Sequence, residues 1–231
     1  MKLRYKKAIL LSLLSTLGMG ILTLSVNPNH SQNVSTVASQ DKSNEAGKNQ
    51  EELTPSPTVS ELPAQLPVFS FEKDGNAEIT ELINKYYKAK LHCDRDSIKS
   101  LLTDTSQVAS QQQLKKNISF IEGYKDIKCY VKKSFRNNEY IVFVYQNIKF
   151  YNINTTAPAL DEFYVVKDLS GKMKIFSDDF DEKTKQYYRD RINDEDVVKL
   201  IKETNNKITN ARKKDKKFKE FYDGFTKKKS S

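Results

Sequence analysis

Few side chains in this chain of 231 residues have the types and spacing to do chemistry. Asp94 and Asp96 are the nearest thing to a carboxylate pair. General acid–base work needs two such groups in a dry site with separated pKa values. A helix N-cap accounts for Asp94 without any reaction. His92 and Cys93 are neighbours in sequence, so they point different ways, and no third ligand stands near them. The other histidine is His30 and the other cysteine Cys129, which leaves a His-based triad or a multi-His metal site without residues. Asp178, Asp179, Asp181 and Glu182 form an acidic cluster of the kind calcium favours. The glycine and terminal glutamate of a twelve-residue calcium loop are missing, and an acid-rich helix start explains the cluster as well. The expectation is therefore no metal, no cofactor and no catalytic residue.

Two other sets of residues suit binding. Tyr86, Tyr87, Phe143, Tyr145, Phe163 and Tyr164 have the character of an aromatic pocket wall with a few polar tips. The same residues serve equally as core or as a dimer face. The second set is the run Arg212–Lys229, RKKDKKFKEFYDGFTKKK. Its Phe218, Phe221, Tyr222 and Phe225 recur at helical spacing, with Arg212, Lys213, Lys214, Lys216, Lys217 and Lys219 around them. Such a helix suits an anionic membrane surface or a polyanionic wall polymer. It suits equally a solvated helix that docks its aromatic stripe on its own domain.

The elements that must position these residues follow from periodicity. Glu139–Phe150, EYIVFVYQNIKF, alternates but is apolar on both sides. A strand apolar on both sides is covered on both faces, so this is the central strand of a small sheet. Helices are expected on one face and a second layer or a partner on the other. Before it, Asn76–Leu91 reads as an amphipathic helix through Ile79, Leu82, Ile83, Tyr86 and Tyr87. Asp94 starts a short helix, and Val108–Glu122 forms a third, ended by Gly123. Asp126–Phe135, Asp161–Val166 and Lys172–Phe176 are further strands, with turns at Arg136–Asn138 and Asp168–Gly171 and a polar loop over Asn152–Ala159. Four strands with short turns imply an antiparallel sheet. Asp181–Ile192 and Asp194–Ala211 return to helical period, the second as a surface helix.

Charge and composition place this domain. The net charge of +9 sits at the two ends. Lys2, Arg4, Lys6 and Lys7 precede an uncharged run, Ala8–Val26. That is close to the ~20 residues a bilayer-spanning helix needs. A basic flank followed by an apolar run fits an uncleaved signal anchor or a signal peptide, with the remainder outside the cell. Residues 27–75 hold five of the six prolines and little aromatic content, and read as a flexible tether. Val68, Phe69 and Phe71 near its end are apolar enough to strap onto the domain edge. The expected organisation is thus 1–26 anchor or signal peptide, 27–75 linker, 76–192 domain and 193–231 basic helical tail. Outside a cell, Cys93 and Cys129 are able to form one disulfide. Two separate buried thiols fit as well.

The stretch YYKAKLHCDRDSIKSLLTD, Tyr86–Asp104, resembles the opening of nuclear transport factor 2-like domains. So does the order of elements, helices first and then an antiparallel sheet, across 76–192. Arg136–Tyr145 followed by DEFYVVKDLSGKMKIF looks like extracellular proteins of Gram-positive bacteria with an anchor and a tether. The resemblance implies an α+β cone, in which a curved antiparallel sheet wraps the first helix and leaves a pocket at its open end. Enzymes of that family use a pocket Asp or His. Here the strands carry Tyr140, Tyr145, Tyr151 and Tyr164 but no histidine, and their acids Glu139 and Asp161 stand at expected strand ends.

These readings converge on a non-catalytic binding or self-association module, held at the cell membrane in a single pass with its domain outside, or else secreted. Expected partners are a second copy through the sheet, the membrane through the N-terminal helix, and an anionic envelope polymer or lipid. Nucleic acid fits the charge but not the address. The alternatives are a small-molecule isomerase or dehydratase on the same fold, and a structural spacer presenting its basic tail to the envelope.

Overall fold

The computed structural model describes residues 66–106 and 108–229, with side chains as far as Gly224. The Ala8–Val26 run and most of the expected tether lie outside the described residues. Among those described, no helix is long and apolar enough to cross a membrane. The architecture is α+β, with one five-stranded antiparallel sheet and six helices. The strands are β1 (Glu72–Lys73), β2 (Ile121–Lys133), β3 (Glu139–Phe150), β4 (Ala157–Lys167) and β5 (Met173–Ile175), hydrogen-bonded in chain order. The helices are α1 (Ala77–Leu91), α2 (Arg95–Ser100), α3 (Gln111–Ile118), α4 (Glu182–Arg191), α5 (Glu195–Lys214) and α6 (Lys216–Lys229).

The helix boundaries have local causes. Asn76 caps α1 by accepting from the Ile79 N–H, and Asp94 caps α2 by accepting from that of Ser97. Ser110 and Gln113 form a reciprocal capping box that starts α3. The expected third helix is shortened at both ends. It begins at Gln111, and Gly123 is not its stop but a residue of β2, paired with Lys149. The cause is tertiary: β3 is twelve residues long, and Ile121 pairs with its last residue, Phe150. The same demand extends β4 back to Ala157, where a loop was expected, because Ala157 pairs with Ile148. The turn at Asp168–Gly171 is present, and Gly171 takes φ 80°, a conformation that favours glycine.

The fifth strand is supplied by the expected linker. Glu72 and Lys73 pair with Val131 and Tyr130 on the edge of β2. The segment before them straps onto the domain: Tyr187 Oη donates to the Pro67 carbonyl, and the Phe71 N–H donates to Asp196. Phe71 meets Tyr130 edge-on at 5.0 Å, whereas Val68 is exposed. The folded unit therefore starts before residue 76.

Both faces of β3 are covered, as its two-sided apolar pattern requires. On one face Val142, Val144, Phe163 and Val165 pack with Ile79, Leu82, Ile83 and Tyr87 of α1. On the other, Ile141, Phe143, Leu160 and Tyr164 pack with Tyr187 of α4 and Val197, Leu200 and Ile201 of α5. The stretch expected to be a surface helix is thus the second layer, and the chain itself occupies the sheet face that was to carry self-association. Cys93 and Cys129 are separate buried free thiols.

Candidate functional site: a polar cluster on the α1 face

Strand parity builds the site. β3 and β4 pair without a register shift from Glu139 to Ile148, so residues 142, 144, 146 and 148 share a face with 157, 159, 161, 163 and 165. Near the α1 end this row is apolar. In its middle stand Gln146 and Asp161. Tyr87 Oη donates to Asp161 Oδ2 at 2.5 Å, and Gln146 Nε2 donates to the same oxygen at 2.8 Å. Around them lie Tyr86, Tyr124 and Phe163. Tyr86 and Phe163 meet edge-on at 5.4 Å, and the Tyr87 and Tyr124 rings are 4.9 Å apart. The Lys90 ammonium sits 5.7 Å from the ring centres of Tyr86 and Tyr87 and 5.8 Å from that of Tyr124. A cation at that range is held by the ring quadrupoles.

The helix supplies this constellation by its own period. Tyr86 and Tyr87 lie side by side on the buried stripe of α1, and Lys90, four and three residues on, falls over both. Tyr124 reaches the cluster from β2, next to an irregularity where Asp126 takes φ 53° and Asn147 Nδ2 donates to its carboxylate. Such bulges re-aim side chains.

Burial first, and then the charge of Asp161, pushes the Tyr86, Tyr87 and Tyr124 phenols well above their usual range. They stay protonated at any physiological pH and act only as hydrogen-bond groups. Two atoms of the cluster, Tyr124 Oη and Gln146 Oε1, are shielded from solvent and have no hydrogen-bond partner among the described residues.

The six aromatic residues expected to line one pocket do not meet. Tyr86, Tyr87 and Phe163 are in this cluster, while Phe143, Tyr145 and Tyr164 point to the opposite face, under α4 and α5. Adjacent positions such as Phe163 and Tyr164 cannot share a face of a strand. Lys90, Tyr124 and Gln146 carried no signal in the sequence, and Asp161 stood out only as an acid at an expected strand end. Parity would have found Asp161, two residues from Phe163, once β4 was extended past it. Asp94 caps α2, as expected, and Asp181 caps α4 through the Thr184 N–H, while Glu182 in the first turn of α4 pairs with Lys185. Among the described residues, no group of three His, Cys, Asp or Glu side chains is placed to hold a metal ion.

One carboxylate does titrate near neutrality. Burial pushes Glu162 up to about 7, and the neighbouring Tyr188 phenol offsets part of the rise. It lies on the α4 side of β4, opposite Phe143, and its Oε1 has no partner among the described residues. Two surface grooves, of about 380 and 520 Å³, run along the solvent side of α1 and share Lys85 and Lys88; neither is lined by Glu162 or Asp161.

The basic run takes a definite place. The chain breaks between α5 and α6 at Asp215, which is extended at φ −131° and ψ 107°, and α6 turns onto the far end of the α1 face. Phe218 and Tyr222 are buried there against Ile148, Phe150 and Ala157, and the Phe221 ring meets that of Phe150 tilted, 4.7 Å between centres. Arg212 is half-buried and pairs with Asp223, to which Lys219 also donates. Lys213, Lys214, Lys216, Lys217 and Lys219 are exposed, Lys216 facing Glu220 at 3.9 Å. Against known proteins, no family model matches this chain, and neither the curated proteins nor the solved structures contain a significant match to it.

Proposed function

We propose that this chain is a non-catalytic binding module of the cell envelope. Its nuclear transport factor 2-like domain is carried outside the membrane on a tether, and its exposed lysines contact an anionic envelope polymer or lipid. The element order supports the family reading, with α1 to α3 preceding an antiparallel meander that packs on α1. One observation carries the binding role. The aromatic edge of α6 is seated on the domain, and five lysines of the α5–α6 junction are left facing solvent. Clustered cations with an apolar body behind them attract polyanions without needing a pocket.

The non-catalytic reading is supported by the state of the acids. Asp161 already accepts two hydrogen bonds, and Glu162 is partly buried at a sheet–helix contact beside Tyr188. The test uses the full chain in nanodiscs of neutral lipid, titrated with polyphosphate as a soluble polyanion. Expected is salt-sensitive binding that Lys213→Glu with Lys214→Glu and Lys217→Glu abolishes. Because Phe218 and Tyr222 are core residues, deleting the tail would confuse binding with folding, and charge reversal avoids this. Binding that survives the triple reversal at moderate salt rules the lysines out.

A further inference from the structure

We propose that α6 is an exchangeable cover. On an anionic bilayer it leaves the sheet, lays its aromatic edge into the lipid interface and uncovers the end of the α1 face beside Asp161. This rests on the reading of the exposed lysines as an anionic contact, and adds what the partner is and what its binding does.

The argument starts from a conflict of surfaces. Phe218, Phe221 and Tyr222 fall at i, i+3 and i+4 and form one edge of α6, with Lys216, Lys217 and Lys219 interspersed. That composition is the one that lies in a lipid interface. In the structure the edge is spent on the domain: Phe218 is fully buried and Tyr222 nearly so. The same edge cannot be seated on the sheet and in lipid together. A soluble polyanion offers only charge and gives no reason for the edge to move, whereas a bilayer offers both charge and an apolar seat. The uncharged Ala8–Val26 run beside four N-terminal cations points to the same bilayer.

The joint permits the exchange. Asp215 is an extended residue between two helices, so α6 is able to swing without unwinding α5. The polar ties of this joint include the Thr155 hydroxyl to Asp215, which lies at the hinge itself and caps α6 by accepting from the Phe218 N–H, and Arg212 to Asp223, which joins α6 to α5. What α6 covers is the last stretch of the α1 face, Ile148, Phe150, Ala157 and Ala159. The next positions inward on the same face are Gln146 and Asp161, and Tyr124 packs against both the α1 and the α6 clusters. Tyr124 Oη and Gln146 Oε1, which have no hydrogen-bond partner among the described residues, are therefore at the boundary that opens. A ligand shifts such an equilibrium only by its preference for one state, and a full switch takes a preference of roughly 10⁴-fold. Lipid favours the undocked state because only there does it gain the aromatic edge in addition to the lysines, which are exposed in both.

The chain contains no tryptophan, so Phe221→Trp gives a single reporter on a half-buried position of the moving edge. The full-length variant is placed in nanodiscs of neutral lipid or of neutral lipid with anionic phospholipid, each containing brominated acyl chains. Expected is quenching of that tryptophan in anionic discs only, lost with Lys213→Glu and Lys217→Glu and kept with the Lys→Arg pair. In the unmodified chain, amide exchange over 148–153 accelerates by about tenfold or more in the anionic discs, as local opening predicts. Unquenched fluorescence and unchanged exchange, in a chain that still binds polyphosphate, overturn the cover and leave the binding role standing. Quenching without faster exchange overturns the uncovering. If the chain binds neither polyphosphate nor anionic lipid, the inference and the function it rests on fail together.

Discussion

The two faces of the sheet are built on different principles. On the α1 face, apolar side chains at helical spacing meet apolar side chains at alternate strand positions, and polarity is confined to the Asp161 cluster in mid-row. On the α5 face the apolar contacts are laced with buried ionic groups. Lys132, 1% exposed, holds Asp194 at 2.7 Å and Asp196 at 2.9 Å. Tyr164 donates to Glu139 and shares a hydrogen bond with Ser134, and Glu162 is partly buried beside Tyr188 of α4. The first face is held by a driving force that is non-directional and tolerant. The second depends on specific partners, and a lost partner there leaves a buried charge.

Breaking that second face by its charge is the largest expected effect. Lys132→Met leaves two carboxylates without their ammonium and costs about 3–5 kcal/mol, read as a lower urea midpoint. Ile141→Val, directly across the ladder from Lys132, costs about 1 kcal/mol and serves as its apolar control. A similar loss for both would erase the contrast. The next comparison is within the α1 face. Ile83→Ala, under the middle of α1, lowers global stability by about 2–5 kcal/mol. Phe218→Ala removes about 3–5 kcal/mol, taken chiefly from the docking of α6. It appears as faster amide exchange in α6, with a smaller change in the urea midpoint.

Glu162 sharpens the contrast through pH. Its folded value of about 7 lies above the unfolded value near 4.5, so folding disfavours its charged form. The associated stability is complete below pH 4.5 and is lost as pH rises through 7, by about 3 kcal/mol. Glu162→Gln is expected to flatten the melting temperature between those limits and raise it at pH 8. Asp196 works in the opposite sense. Burial raises its carboxyl, but Lys132 and the Phe71 N–H outweigh that and hold it low. Its contribution is present near neutrality and fades as pH falls through its folded value. A variant of Glu162 with an unchanged pH profile would show the group to be solvated. The smallest effect belongs to the most readable feature: Asp94→Ala removes the exposed α2 cap, seen as a small drop in the thermal midpoint.

Readability from the sequence followed the range of the interactions. Asp94 and the Asp168–Gly171 turn are local devices whose chemistry lies within four residues, and both were legible; Asn76, an equally local cap, was read as the first residue of its helix. The central strand was legible because its pattern is twofold and long. Gly123, the extent of β4 and the edge strand at Glu72 were not, because each is decided by a partner distant in the chain. Of the candidate site, Tyr86, Tyr87 and Phe163 were visible as aromatic residues. Their separation from Phe143, Tyr145 and Tyr164 needed the register. Lys90 is surrounded by three tyrosine rings, a setting that only the packing of α1 on the sheet creates.

By itself the order of residues determined that an antiparallel sheet with a doubly apolar central strand follows a set of amphipathic helices, and that positive charge gathers at the ends. Local steric and capping rules, together with the periodicity of water-avoiding side chains, act through neighbours only, and these conclusions need nothing else. Tertiary structure alone decided what covers the second face, since a lysine-rich stretch with sparse apolar positions finds its seat only when the sheet already presents one. It also decided that a helix carrying the basic charge should close one end of the α1 face. Burial of an aromatic edge depends on a complementary surface, and that surface is assembled from strands far earlier in the chain.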